Sequence, residues 1–205
     1  MPGPIPNPVL LDVPDSIAAG DLILRPYRAG DGRAFFEVVD RDRDDLLQWV
    51  PWGGRYRSAD EAEEYVRRMQ AKWAVREALI LGIWHRDGRL LGGTGFHGFD
   101  WRVPSLEFGY WSGTHARGRG WITQAVRALL DLGFGALQAE RQWAMVDVEN
   151  TASIALLERC GCRREGHLRC DSRDHLRGEL RDTYVYAITR EDCVSAAERH
   201  DREAP

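Results

Sequence analysis

Along the chain, apolar positions recur with periods of two or about 3.6, and the change of period marks the elements. LILRPYR (22–28) reads as a strand, with Pro26 at its end or on a sheet edge. Asp31 offers an N-cap to a helix reaching about Asp40. A short apolar segment, LLQWVPW (46–52), is broken by Pro51 and the pair Gly53-Gly54. Ser58 and Glu61 have capping-box spacing and open a helix to about Arg76. ALILGIWH (78–85) and RLLGGTGF (89–96), joined through Asp87-Gly88, form a hairpin. LEFGYW (106–111) is a further strand. In ITQAVRALLDLGF (122–134) the apolar residues 122, 125, 126, 129, 130 and 134 lie on one helical face. RQWAMVDV (141–148) is a strand, TASIALLERC (151–160) a helix ended by Gly161, and strands near 163–169 and 181–189 close the order.

A helical pair after the first strand, an antiparallel meander, then strand–helix–strand–helix–strand predicts an α+β architecture. Its sheet is mixed, mostly antiparallel, of about six to seven strands with one parallel crossover. Residues 1–19, with prolines at 2, 4, 6, 8 and 14, read as an N-terminal arm. Residues 20–190 form the domain, and 191–205 a polar tail.

Composition narrows the field. Hydrophobic residues at 43% and charged residues at 29% suit a globular domain with a core. No apolar run approaches the ~20 residues that span a bilayer. No signal-peptide pattern opens the chain, so a cytoplasmic location is expected. A net charge of −4 argues against broad nucleic-acid or membrane binding. Cys160, Cys162, His167 and Cys170 lie close together, but C-x-C-x4-H-x2-C matches none of the common zinc spacings, and no metal is expected.

The stretch with chemical content is GYWSGTHARGRGWITQAVRALL (109–130). A strand runs into the loop Arg117-Gly118-Arg119-Gly120, which opens directly into the amphipathic helix. Glycines let successive N–H groups converge, the helix start adds unspent donors and its positive dipole end, and arginines fork onto phosphate oxygens. The loop is too short for a G-x4-G-K-[ST] phosphate loop, and Thr123 stands where a dinucleotide fingerprint needs its third glycine.

This loop resembles the R/Q-x-x-G-x-G/A pyrophosphate signature of the GNAT acetyltransferase superfamily. With EFGYW (107–111), N-x-x-S (150–153), RDTYVYAI (181–188) and the opening LILRPY (22–27), the chain is similar to its RimJ/RimL-like branch over about residues 20–190. The resemblance implies the GNAT fold with splayed central strands. It implies acetyl-CoA as co-substrate and, as acceptor, a primary amine such as a protein N-terminus. By position, Arg117, Gly118, Arg119, Gly120, Trp121 and Ile122 would carry the pyrophosphate-binding main chain, and Thr123 would add a hydroxyl. Tyr110, Trp111 and Ser112 would face the pantetheine arm, and Asn150 and Ser153 would flank it and the reacting sulfur. Two positions depart from the pattern. Ile122 stands where Gly or Ala is usual, and Leu157 occupies the place of a tyrosine that serves many members as general acid. Ser153 or a water is left for that role.

A free α-amine, with pKa near 7.7–8.0, needs only a modest base. Glu107 is the candidate, since it lies on the strand that resembles the family's acyl-binding strand, three residues before Tyr110; strand alternation would put it on the face of Trp111, and the alternative is a solvated glutamate. A main-chain N–H near Tyr110 or Trp111 would hold the oxyanion. Trp49, Trp52 and Trp101 would lie near the acceptor mouth or serve as packing. His97 and His115 read as residues without a role, and Asp182 as structural. Acceptor loops are expected at 41–58, 96–105 and 170–180. Rival readings are a small-molecule amine acceptor, a longer acyl-CoA, or a non-catalytic acyl-CoA-binding module. A homodimer through strand edges is compatible with the sequence.

Overall fold

The computed structural model describes residues 3–174 and 176–193. One mixed sheet organises them. Its strands are β1 (Ile17–Ala19), β2 (Leu22–Pro26), β3 (Leu79–His85), β4 (Leu90–Asp100), β5 (Ser105–Ser112), β6 (Arg141–Asp147), β7 (Arg163–Arg173) and β8 (Leu180–Thr189), in spatial order β1-β2-β3-β4-β5-β6-β8-β7. All neighbours are antiparallel except β5 and β6, which are parallel and joined by helix α4 (Trp121–Phe134). The remaining helices are α1 (Gly32–Arg41), α2 (Arg43–Leu47), α3 (Ala59–Ala74) and α5 (Thr151–Arg159).

The eighth strand is β1, inside the stretch expected to be an arm. Ala19 pairs with Leu22 across a two-residue Gly20-Asp21 turn, and Gly20 sits at φ +56. Three residues are too few to carry an alternation signal, and the prolines upstream hid the strand. The arm is also tied to the domain: Ile5 N–H donates to Trp101 O at 2.9 Å, and Arg76 donates to Leu11 O. The tail beyond residue 193 lies outside the described residues.

Each face of the sheet has its own core. Leu79, Leu81, Ile83, Leu106 and Phe108 pack with Val126 and Leu129 of α4 and with Leu156 and Leu157 of α5. Tyr27, Trp84 and Leu90 pack on the other side with Phe35 and Val39 of α1 and Val66 of α3. Glycines in register make room for the rings of that second core. Gly82 and Gly93 are cross-strand partners, and a Cβ on Gly93 would lie 2.5 Å from Trp111 Nε1 and 2.8 Å from the Tyr27 hydroxyl.

Two caps differ from expectation. Asp31 stands at the N-cap of α1 but accepts no helix amide. Arg25 captures its carboxylate at 2.7 and 3.0 Å, and Arg28 N–H adds a third bond. Glu63 of α3 serves the helix start instead, accepting from Gly30 N–H and Gly32 N–H. Ser58 does cap α3, yet Glu61 reaches back to the N–H of Arg57 rather than to that of Ser58.

Candidate active site

β5 keeps β4 as a partner along its whole length, whereas its pairing with β6 ends at Glu107↔Trp143. Beyond that point β6 stays with β8 as far as Asp147↔Thr183. The two parallel strands therefore part, and a gap opens between Phe108–Ser112 and Ala144–Asp147. Two cavities meet there, one of about 780 Å³ and one of about 450 Å³, sharing Val50, Tyr110, Trp111, Met145 and Ser153 in their walls.

The larger cavity runs from the gap to the start of α4. Gly118 and Gly120 adopt φ +72 and +75, with no atom within 4 Å of where a Cβ would stand. Glycine is needed here for the left-handed backbone, and the space beside it is open. Among the described residues, no protein acceptor takes the main-chain N–H of Gly118, Arg119, Gly120, Trp121, Ile122 or Thr123. The first amide put to use is that of Gln124, bonded to Gly120 O at 3.0 Å. Six successive unspent donors at the positive end of a 14-residue helix could hold an anion such as a diphosphate. Arg117, Gly118, Gly120, Ile122 and Thr123 line this cavity, as do Asn150 and Ser153 across from them.

The arginines are placed differently from a simple phosphate grip. Arg117 forks onto the carboxylate of Asp45 of α2, with one bond at 3.0 Å. Arg119 lies over the Trp121 ring at 4.9 Å and does not line the cavity, so its share in a ligand site would be its main chain. The loop is fixed from behind by Asp42, which is 6% exposed. Its carboxylate accepts from Thr114 N–H and Thr114 Oγ1, each at 2.8 Å, and from Arg41. Burial pushes its pKa up, but these donors outweigh burial and hold it at about 2. His115 accepts from Arg41 at Nδ1 and sits 3.2 Å from Leu90 O at Nε2. Burial and then the Arg41 charge lower its pKa, so it is a neutral packing residue.

Asn150 caps α5 by accepting Ser153 N–H at 3.1 Å, which fixes the first turn of the helix beside the gap. Ser153 Oγ lies 2.6 Å from the Tyr110 hydroxyl, and Ser153 O accepts from the same phenol at 3.2 Å. Burial pushes the Tyr110 pKa well above 10, against the opposing bond to Ser153. The phenol therefore stays protonated, and its hydrogen bond orients Ser153. Leu157, buried, also walls the smaller cavity.

Glu107 and Trp111 both line that smaller cavity. His97 joins them, its Nδ1 3.4 Å from Glu107 Oε2. Gly98, at φ +58, leaves room for this carboxylate, since a Cβ there would stand 2.8 Å from Oε2. Of the expected acceptor loops, 41–58 supplies Val50, Trp52, Arg55 and Tyr56, and 96–105 supplies His97. No described residue of 170–180 reaches the cavity; Phe35 of α1 and Tyr65 of α3 do. Trp101 lines neither cavity and stacks on Phe99 at 4.7 Å. Asp182 binds His167 and Cys170 N–H at the far edge of the sheet. Among the described residues, no three His, Cys, Asp or Glu side chains converge on a metal site.

The contact between Tyr110 and Ser153, the pairing of His97 with Glu107, and the rings of Phe35 and Tyr65 escaped the sequence reading. Tyr110 and Ser153, and the rings of Phe35 and Tyr65, come from segments far apart in the chain, while His97 meets Glu107 only through the register of β4 on β5, which no local spacing announces.

Residues 21–163 match the Acetyltransferase (GNAT) domain family. The chain belongs to the GNAT acetyltransferase family. It is an acetyl-CoA-dependent N-acetyltransferase, and the larger cavity and its amide cradle fit that donor. Relatives include the putative ribosomal N-acetyltransferase YdaF of Bacillus subtilis, 30% identical over 72% of this chain and 81% of that protein. The uncharacterized N-acetyltransferase p20 of Bacillus licheniformis is 34% identical over half of this chain, and the chain spans 57% of that relative. Among solved structures, Mycobacterium smegmatis RimJ in complex with CoA-disulfide superposes with a TM-score of 0.78 at 28% identity, covering 90% of this chain and 95% of that one. The fold of this GNAT chain is thus shared with a solved structure of nearly its own length.

Proposed function

We propose that this acetyltransferase acts on an α-amine, such as that of a protein N-terminus. The observation that carries the reading is the meeting of the two cavities at the split between β5 and β6. One ends on the amide cradle, the other on Glu107. When bound, acetyl-CoA supplies the thioester carbonyl that the amine attacks. Gly118 to Thr123 would hold its diphosphate through main-chain N–H groups, and the stretch Phe108–Ser112, paired with β4 but not with β6, would receive its arm at the gap. The likeness to YdaF, named as a putative ribosomal N-acetyltransferase, supports a protein acceptor.

The protein's own work is to position and deprotonate. Glu107, with His97 beside it, takes a proton from the arriving ammonium, directly or through water. Ser153, held by Tyr110 and by the turn that Asn150 caps, presents a hydroxyl where sulfur would leave. An α-amine is on the order of a tenth neutral at pH 7, a lysine under a thousandth, so an α-amine asks less of the base.

Thiol release from acetyl-CoA, measured with peptides bearing a free N-terminus, tests this. Turnover per active site should rise with pH towards about 8 as the amine loses its proton. Glu107→Gln should lower kcat roughly 10²-fold or more, with CoA affinity kept. Activity confined to lysine side chains would exclude the α-amine reading. An unaltered Glu107→Gln enzyme would remove Glu107 from the chemistry.

A further inference from the structure

The smaller cavity has an unusual wall. Phe35, Trp52, Tyr56, Tyr65 and Trp111 all line it, arriving from α1, the Pro51–Gly54 turn and the residues after it, α3 and β5. Their ring centroids stand 5.4 Å apart for Phe35–Trp111 and Trp52–Trp111, and 5.1 Å apart for Phe35–Tyr65. A bare core cluster would be closed over. Here Trp52, Tyr56, Tyr65 and Trp111 are only partly buried, and the space among them is about 450 Å³. The wall also carries polar groups: the hydroxyls of Tyr56, Tyr65, Tyr110 and Ser153, the Glu107–His97 pair, and Arg55, which is exposed and unpaired among the described residues, while Thr94 spends its hydroxyl on Gly109 O.

We propose that the acceptor carries a large flat or branched apolar group next to its amine, and that the aromatic cage selects for it. This rests on the N-acetyltransferase reading and names its substrate class: a peptide beginning with a bulky apolar residue, or a small arylalkylamine. Three physical points carry it. A cavity of this volume around a serine or alanine side chain would stay largely unfilled, and its walls would lose their contacts. Aromatic faces attract the ammonium form as it arrives, while Glu107 waits at the inner end to take its proton. A cage open on one side admits either a free amine or a chain end continuing outwards.

The test compares peptides differing only at residue 1 (Phe, Leu, Ala, Ser), together with 2-phenylethylamine and ethylamine, in the thiol-release assay with the full chain. Phe and Leu should exceed Ala and Ser in kcat/KM by about tenfold or more, the scale of a few apolar groups in a fitted pocket. Activity on the peptides alone would identify a chain end, and activity on 2-phenylethylamine would identify a small amine. Trp52→Ala should narrow the Phe-to-Ser ratio, and Trp52→Phe should restore much of it. CoA titration and melting temperature serve as folding controls, since Trp52 does not line the donor cavity. Equal or greater activity on Ser and Ala, or a Trp52→Ala enzyme whose ratio is unmoved, would overturn the cage. A parallel titration, reading tryptophan fluorescence, keeps the two readings apart. Binding of 2-phenylethylamine over ethylamine without thiol release would count against the transferase chemistry but support the cage, whereas release without any such preference would do the reverse.

Discussion

At the scale of single residues, the Gly118–Gly120 loop depends on a carboxylate that lines neither cavity. Asp42 ties the Thr114–Ala116 turn to the end of α1, and the turn leads straight into the Gly118–Gly120 loop. Its pKa near 2 in the fold compares with about 3.9 in an unfolded chain. A depressed pKa stabilises the fold above the unfolded value, and that contribution, on the order of 2 kcal/mol, disappears as pH falls from about 4 to about 2. Asp42→Asn should therefore be less stable than the parent at pH 7 by an amount of that order. Denaturant titrations at successive pH values should show the gap closing below pH 4. A gap that is constant with pH would show that shape, not charge, is what Asp42 supplies. Nothing in the sequence marked this residue, because Thr114, which it ties down, lies 72 positions away. Glu107, by contrast, was legible, since its strand resembles the family's acyl-binding strand and alternation places it with Trp111.

At the scale of elements, the same contrast holds between local and distant causes. The amphipathic α4 and its glycine-rich start could be read directly, because period, cap and loop all lie within one window. The start of α1 was misread, because the cap comes from Glu63 on another helix. That arrangement demands a glycine: a Cβ on Gly32 would fall 2.4 Å from Glu63 Cα, a backbone atom that cannot swing aside. Gly32→Ala should thus push α1 from α3, and these helices carry Phe35 and Tyr65 into the acceptor cavity. Overpacking of this kind costs about 1–3 kcal/mol. The variant should melt several degrees lower and show a raised KM for the amine, while the CoA dissociation constant holds. An unchanged melting temperature with unchanged acceptor kinetics would mean that the contact between the helices is soft.

For the whole molecule, order along the chain foretold the sheet but not how its two cavities share a roof. Strand β1 was lost to its brevity, and the split between β5 and β6 came through resemblance rather than from any pattern of residues. The roof is segment 45–56: Asp45 and Trp49 face the donor cavity, Trp52 and Tyr56 the acceptor cavity, and Val50 faces both. Asp45 holds Arg117 at the cradle, so a diphosphate arriving there meets a carboxylate already engaged with the nearest guanidinium. The two anions compete for one cation. The side chains of the pair are 47% and 33% exposed, which limits its worth to about 0.2–1 kcal/mol. Replacing Asp45 by Asn removes the competitor and the repulsion together, so CoA should bind tighter by a factor of about two to five. The gain should shrink as salt is raised from 0.05 to about 0.5 M, because screening weakens both effects. Calorimetric titration with CoA at three salt concentrations decides the matter. If Asp45→Asn binds CoA more weakly at every salt, the ion pair is preparing the cradle for its ligand rather than contesting it, and roof and cradle work as one preformed unit.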